Sequence, residues 1–214
     1  MINLILIGAS GYGRDIAERV LSLPDYGKNI VIKGFLVHKK EYLNSLDGYT
    51  NYPPILGMVD DYIIQDDDLF LCTLGDVNEK KKVVLPLKER GAKFYTFIHP
   101  HAYVSKDAII GEGTIILEMA TVGSGARIGS FCLIQISSII AHGNIVGDYS
   151  RIDCHAVSVG KAEIGESVTI HTSAVLNHGV KIGDGAIVGA CSFVIRNVKP
   201  GVTVMGNPAK LVVF

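Results

Sequence analysis

The sequence contains no tryptophan, few aromatic residues and few charged ones. Of its 214 residues 7% are aromatic and 19% are charged, whereas 48% are hydrophobic. This composition excludes disorder as the dominant state, because disordered chains are poor in apolar residues. Lysine and arginine number 20 and aspartate and glutamate 21, a net charge of −1. No basic surplus is present to attract nucleic acid or anionic lipid. We therefore expect an aliphatic core, no nucleic-acid partner and no membrane partner.

Cysteine pairs and long hydrophobic runs are also missing. The four cysteines form no CxxC pair; they are Cys72, Cys132, Cys154 and Cys191. Disulfide frameworks belong mainly to small secreted chains, so we expect reduced, buried thiols. The first residues lack a basic region, and their apolar run stops at Gly8. With no signal peptide and no stretch of 18 apolar residues, a cytoplasmic protein is expected.

Residues 1–95 alternate short apolar runs with amphipathic segments. Strands are predicted at 3–7, 30–37 and 69–74, and helices at about 13–23 and 80–90, the second closed by Gly91. Strands alternating with helices indicate a parallel sheet. The first domain is thus predicted to be a small Rossmann-like α/β unit.

Residues 98–194 follow a different rule, with a period of six. Sixteen of the 17 positions in this register are Val, Ile or Leu, against 13 of the remaining 80 positions, and the exception is Ser158. A period of six fits neither a helix nor an alternating strand, and it is typical of a parallel β-helix. Three six-residue faces make one triangular coil, so residues 18 apart should stack. The span predicts a little over five coils.

Glycine often follows the inward aliphatic residue of this repeat. We expect these positions to be corners at which the backbone needs a positive φ. They are Gly111, Gly123, Gly129, Gly147, Gly165, Gly183 and Gly189.

The repeat ends in the block Val198-Lys-Pro-Gly-Val-Thr-Val-Met-Gly-Asn-Pro-Ala-Lys210, which resembles the closing loop of hexapeptide-repeat acyltransferases that use acetyl-CoA. The front half narrows the resemblance. Gly8-Ala-Ser-Gly-Tyr-Gly13, Leu74-Gly-Asp76 and Ile98-His-Pro-His-Ala102 occur in the order seen in the bacterial sialic acid O-acetyltransferase and nucleotide-sugar N-acetyltransferase family. The resemblance covers nearly the whole chain.

This resemblance implies a fold, a cosubstrate and an assembly. The α/β domain of residues 1–95 would bind the sugar substrate. Residues 96–214 would form a left-handed parallel β-helix with a C-terminal closing segment, which binds acetyl-CoA. The family's homotrimers place each active site between neighbouring helices, and a role in surface-polysaccharide biosynthesis is expected.

His142 is the candidate general base. Acyl transfer needs a base for the nucleophile's proton, and the pKa of histidine suits that task. Ser138-Ile-Ile-Ala-His142 matches the family segment that carries the catalytic histidine, and His142 follows the inward Ile140 by two residues. Relatives often have an acidic residue next, where this chain has Gly143. Asn144 or a group from a neighbouring chain is then needed to orient the ring, or the base is weaker.

The acetyl carbonyl needs a hydrogen-bond donor as it gains charge. Stacking places residue 160, a glycine, one coil after His142, and the family uses a backbone N–H near this position. Gly160 is therefore assigned to both catalysis and cofactor binding. The resemblance also implies cofactor contacts at Thr172 and at Arg151, where relatives carry a histidine. The alternative for Arg151 is a solvated charge on a coil face.

A polar column runs through Gln135, Asp153 and His171, each 18 residues apart. A zinc site from Asp153, His155 and His171 is conceivable, but ladders of polar residues are ordinary on coil faces, and we expect no metal. His178, two coils beyond His142, is expected near the cofactor arm or in solvent.

The loop Gly8–Gly13 follows a strand and opens a helix, an arrangement that binds phosphate. Ser10, Gly11, Tyr12 and Gly75 are the candidate substrate contacts, although a plain strand-to-helix turn would leave the same pattern. The second strand ends at His38 without an acidic residue, which argues against NAD and leaves recognition of the nucleotide base open.

These observations favour an acetyl-CoA-dependent N-acetyltransferase acting directly on the amino group of a nucleotide-linked deoxyamino sugar. O-acetylation of sialic acid is the enzymatic alternative, supported by the missing strand-end acid. A non-catalytic trimeric scaffold is a further alternative, motivated by Gly143. A metal-dependent hydratase of the carbonic anhydrase type would need three converging histidines, and the sequence contains no matching trio.

Overall fold

A computed structural model of the chain describes residues 1–213. The chain divides into two compact units, Met1–Tyr95 and a second that begins at Thr96. No helix in the described residues is long and apolar enough to cross a membrane.

The first unit is a five-stranded parallel sheet with two α-helices. Its elements are β1 (Ile2–Ile7), α1 (Gly11–Leu21), β2 (Ile30–Val37), a 3-10 helix (Lys40–Tyr42), β3 (Ile55–Met58), β4 (Asp68–Cys72), α2 (Val77–Glu89) and β5 (Lys93–Phe94). The strand order is β3-β2-β1-β4-β5. The chain therefore changes direction across the sheet between β1 and β4, and ligands of such sheets bind at the carboxyl ends of the strands beside that point.

The predicted elements of this unit are present, with shifted ends. Helix α2 begins three residues early because the Asp76 carboxylate accepts a hydrogen bond from the Glu79 amide at 2.8 Å and caps the helix. Strand β3 was not predicted, because its four residues are only half-buried and Gly57 interrupts the apolar run. The two-residue strand β5 was too short to produce a pattern.

The second unit is a left-handed β-helix of two-residue strands. These are β6 (Phe97–Ile98), β7 (Tyr103–Val104), β8 (Ile109–Ile110), β9 (Ile115–Ile116), β10 (Thr121–Val122), β11 (Arg127–Ile128), β12 (Leu133–Ile134), β13 (Ile139–Ile140), β14 (Ile145–Val146), β15 (Arg151–Ile152), β16 (Val157–Ser158), β17 (Glu163–Ile164), β18 (Thr169–Ile170), β19 (Val175–Leu176), β20 (Lys181–Ile182), β21 (Ile187–Val188) and β22 (Phe193–Val194), followed by β23 (Thr203–Met205) and β24 (Lys210–Leu211).

Residues 18 apart pair in parallel, as the period of six predicts. Val122 pairs with Ile140, and Ile140 with Ser158, for example. Three sheets of six, five and eight strands form the three faces, so five coils are complete. The second residue of most strands points inward and builds one continuous aliphatic core.

The glycines that follow the inward residues do not have a positive φ, and that expectation was wrong. An ideal Cβ on Gly147 would lie 2.6 Å from the Glu166 amide nitrogen of the next coil, so glycine is needed there for close approach. Positive φ occurs two residues later instead, every six residues from Gly113 to Cys191. Nine of these corner residues are not glycine; Lys161, for example, has a φ of 60°.

All four cysteines are free, but only Cys72 and Cys132 are buried. Cys154 is half-buried and Cys191 is exposed, contrary to expectation. Both lie at coil corners, where side chains point away from the core.

Candidate active site

His142 lies at a coil corner with its side chain outside the core. It is exposed, and it follows the inward Ile140 by two residues. Within residues 1–213 its ring has no hydrogen-bond partner. The imidazole is therefore free to receive a proton from a bound acceptor.

Gly160 lies directly beneath the His142 ring, as the stacking predicted. A Cβ built on Gly160 would lie 2.5 Å from Cε1 and 2.6 Å from Nε2 of His142, so only glycine leaves room for the ring. The Gly160 amide donates to no acceptor in the described chain, whereas the equivalent amides of Ser130 and Glu166 donate to aspartates of the next coil. A base and an uncommitted N–H thus share one corner.

Asn144 does not orient the ring, although the sequence made it a candidate. Its side chain is fully buried, and its Nδ2 donates to the Ala141 carbonyl at 2.7 Å. Its Oδ1 accepts from the Ser158 hydroxyl at 2.8 Å and from the Ala162 amide at 3.0 Å. These bonds commit the amide group to the inside of the coil.

The polar column forms a cluster around the buried carboxylate of Asp153. Arg151 donates to it through Nε at 2.6 Å and through Nη2 at 2.8 Å. His171 Nδ1 lies 3.0 Å from the second oxygen, and Gln135 also donates to the group. In the part of the chain that the structure describes, no three metal-ligating side chains converge. His155 occupies the following corner, with a φ of 60°.

The predicted cofactor residues do not share one corner within a single chain. His142 and Gly160 follow β13 and β16 of the six-stranded sheet. Arg151 belongs to the eight-stranded sheet, and the exposed Thr172 follows β18 of that sheet. Sequence stacking predicted each column but not which columns lie on different corners.

A pocket of about 200 Å³ lies at the carboxyl ends of β1, β2 and β4. Ser10, Tyr12 and Gly75 line it, whereas Gly11 lies beside it as the first residue of α1. The first turn of α1 contains no acidic residue, and Ser10 makes no side-chain cap, so the start of the helix favours an anion.

The glycines of the front loop have different reasons to be there. Gly8 has a φ of 111°, and a Cβ on Gly13 would lie 1.8 Å from the Gly8 carbonyl oxygen, so both serve the turn. A Cβ on Gly11 would meet nothing within 4 Å. Turn geometry thus leaves Gly11 unexplained, which fits a position that a ligand approaches.

Sequence reasoning missed Glu79, which supplies a carboxylate at the end of β2. Its Oε2 lies 3.2 Å from Lys39 Nζ and 3.6 Å from His38 Nε2, and all three residues line the pocket. Burial lowers the pKa of His38, and the Lys39 charge lowers it further, so the ring is neutral at pH 7. Its Nδ1 is buried without a hydrogen-bond partner in the described chain. The acid comes from α2, far along the chain, where no strand-end motif could reveal it.

Comparison with known proteins confirms the family resemblance. The family model described as bacterial transferase hexapeptide (six repeats) matches residues 161–196. UDP-N-acetylbacillosamine N-acetyltransferase of Bacillus subtilis is 32% identical over 117 residues. That match covers 55% of this chain and 52% of the relative, so the chain aligns with about half of the relative's length.

Solved structures extend the likeness over the whole chain. The acetyltransferase domain of PglB from Neisseria gonorrhoeae is 25% identical, with a TM-score of 0.87, and the match covers 99% of this chain and 100% of that one. The same domain is also known in complex with acetyl coenzyme A. PerB of Caulobacter crescentus shares the fold, with a TM-score of 0.83, 21% identity and coverage of 98% and 97%.

Proposed function

We propose that this hexapeptide-repeat protein is an acetyltransferase that moves the acetyl group of acetyl-CoA to the amino group of a nucleotide-linked deoxyamino sugar. The observation that carries the proposal is the stacking of His142 on Gly160, which puts a free imidazole beside an amide without an acceptor. The likeness to acetyltransferases, one of them known with acetyl coenzyme A, supports the cosubstrate.

The transfer is direct. The sugar amine attacks the thioester carbon, and its proton passes to His142. The carbonyl electrons move onto oxygen, where the Gly160 N–H stabilises the charge. The C–S bond then breaks, and the leaving thiolate takes up a proton from the imidazolium. In the described chain no serine or cysteine side chain is hydrogen-bonded to His142, which speaks against a covalent enzyme intermediate.

The pocket of the first unit is the proposed substrate site. Ser10, Gly11 and Tyr12 at the start of α1 would bind the diphosphate, with Gly75 opposite. Glu79 brings a carboxylate to the end of β2, where the sequence had none. The argument for O-acetylation of sialic acid rested on that missing acid, so the amino-sugar nucleotide is favoured.

A homotrimer is part of the proposal. The outward residues of the six-stranded sheet are mostly apolar: Tyr103, Thr121, Ile139, Val157, Val175 and Phe193. This face precedes the corner of His142, and a second copy packed on it would bring other corners near that histidine. Arg151 and Thr172 of a neighbouring chain would then contribute to cofactor binding, which one chain alone cannot arrange.

The test is acetyl-CoA turnover against a panel of nucleotide-linked amino sugars, the corresponding hydroxy sugars and free sialic acids. Release of coenzyme A thiol with the amino sugars only is the expected result. Release with sialic acid only would replace the proposal by O-acetylation. No release with any acceptor, from protein that still binds acetyl-CoA, would favour a scaffold.

A further inference from the structure

We propose that Asn144 and Ser158 form a positioning pair, which sets the His142 corner over Gly160 from inside the coil. The inference rests on the proposed function of His142. It starts from the one break in the repeat: Ser158 occupies an inward position at which the other 16 residues are aliphatic. The serine is 2% exposed and Asn144 is fully buried.

The Asn144 side chain spans two successive corners. Its Nδ2 donates to the carbonyl of Ala141, the residue before His142. Its Oδ1 accepts from the amide of Ala162, which closes the corner of Gly160. One rigid amide group therefore ties together the two corners that carry the proposed base and the proposed oxyanion donor.

Other corners in the same column close through the backbone alone. The Ala108 amide donates to the Ser105 carbonyl at 3.0 Å, and the Ala126 amide to the Gly123 carbonyl at 3.2 Å. At the Gly160 corner, the Ala162 amide turns to Asn144 instead. The exchange of a backbone bond for a side-chain bond is thus centred on the His142 and Gly160 corners.

Ser158 fixes the orientation of that amide group. Its hydroxyl donates to Asn144 Oδ1 at 2.8 Å, which leaves Nδ2 directed at the Ala141 carbonyl. Alanine occupies the column position of Asn144 both one coil before, at Ala126, and one coil after, at Ala162. An alanine at 144 with a valine at 158 would restore the regular repeat without a buried polar pair. Replacing both hydrogen-bonding partners with apolar groups is often neutral for stability, so folding alone does not require the pair.

A buried hydroxyl elsewhere provides the matched control. Ser150 is fully buried, donates to the Gly165 carbonyl at 2.7 Å and accepts from the Val168 amide at 3.0 Å. It joins two coils in a similar way at a different corner. Ser150→Ala therefore removes a comparable network far from His142 along the coil perimeter.

The experiment compares Asn144→Ala, the double variant Asn144→Ala/Ser158→Val and Ser150→Ala in the full-length protein. We expect the double variant to keep its thermal midpoint and its KM for acetyl-CoA within about twofold, while kcat falls by roughly 10-fold to 100-fold, the range for a misplaced catalytic group. Amide hydrogen exchange should rise at 141–144 and 159–162. Ser150→Ala should leave kcat nearly unchanged.

Unchanged kcat and unchanged exchange in the double variant would overturn the inference, as would an equal loss of kcat in Ser150→Ala. If the double variant does not fold, Ser158→Ala tests the same point, since it removes only the donor to Asn144 Oδ1. A wild-type protein without acetyl transfer would refute the proposed function instead, while hydrogen exchange would still report whether the pair holds the two corners.

Discussion

At the scale of single residues, His142 decides the chemistry. Replacing it with alanine should lower kcat by roughly 100-fold or more, the loss expected when a general base is removed. The KM for acetyl-CoA should change little, because the variant leaves the Gly160 amide in place. His178→Ala is the control, since His178 is exposed in the same column two coils further on. Steady-state kinetics of both variants decide the point, and an active His142→Ala enzyme would refute the assignment.

Gly143 allows a gain-of-function test beside His142. It has a φ of 65°, and the equivalent Lys161 one coil later shows that this corner accepts a long side chain. Gly143→Glu would place a carboxylate near the ring, which favours the protonated form of an imidazole. The acid limb of the pH–rate profile should then move to higher pH, whereas Gly143→Gln should leave it in place. A profile that stays put in both variants would mean that a group from another chain already orients the ring.

At the scale of elements, the two kinds of glycine in the β-helix should respond differently to substitution. Gly147→Ala forces a Cβ to 2.6 Å from backbone atoms of the next coil, and such overpacking costs about 1–3 kcal/mol. Gly125→Ala meets open space at a φ of 67° and should cost about 1–2 kcal/mol of backbone strain at most. Thermal midpoints should therefore fall further for Gly147→Ala. The reverse order would restore the interpretation of these glycines as positive-φ corners.

The front loop offers a substitution that separates stability from binding. A Cβ on Gly11 meets nothing within 4 Å, and its φ is not positive. Gly11→Ala should therefore stabilise the protein slightly, by roughly 0.4–1 kcal/mol. If the sugar nucleotide's phosphates approach this residue, KM for that substrate should nevertheless rise severalfold, with KM for acetyl-CoA unchanged. Unchanged KM values for both substrates would reduce the loop to a turn.

At the scale of the whole molecule, the apolar face of the six-stranded sheet predicts the assembly. Light scattering at micromolar concentration should give the mass of three 23.0 kDa chains. Ile139→Lys puts a charge on that face and should yield monomers without activity. Ile145→Lys is the matched control, because its sheet already carries Arg127, Glu163 and Lys181 at the equivalent outward positions. A wild-type monomer would contradict both the trimer and the shared cofactor site.

The sequence by itself determined the β-helix, because a strict period of six in aliphatic residues has no other regular structure to satisfy it. The stacking of His142 on Gly160 followed from the same arithmetic. Strands β1 and β2 and helix α1 were predictable too, since local apolar patterns are strong there.

Only the tertiary structure decided what lies opposite a given residue on another coil or strand. It directed the Asn144 amide inward to Ser158 rather than toward His142, and it brought Glu79 from α2 to the end of β2. It also assigned the repeat glycines to close approach between coils instead of positive φ. The physical reason is the same in each case: spacing along the chain specifies which positions stack, whereas hydrogen-bond direction and steric contact depend on atoms that the pattern does not contain.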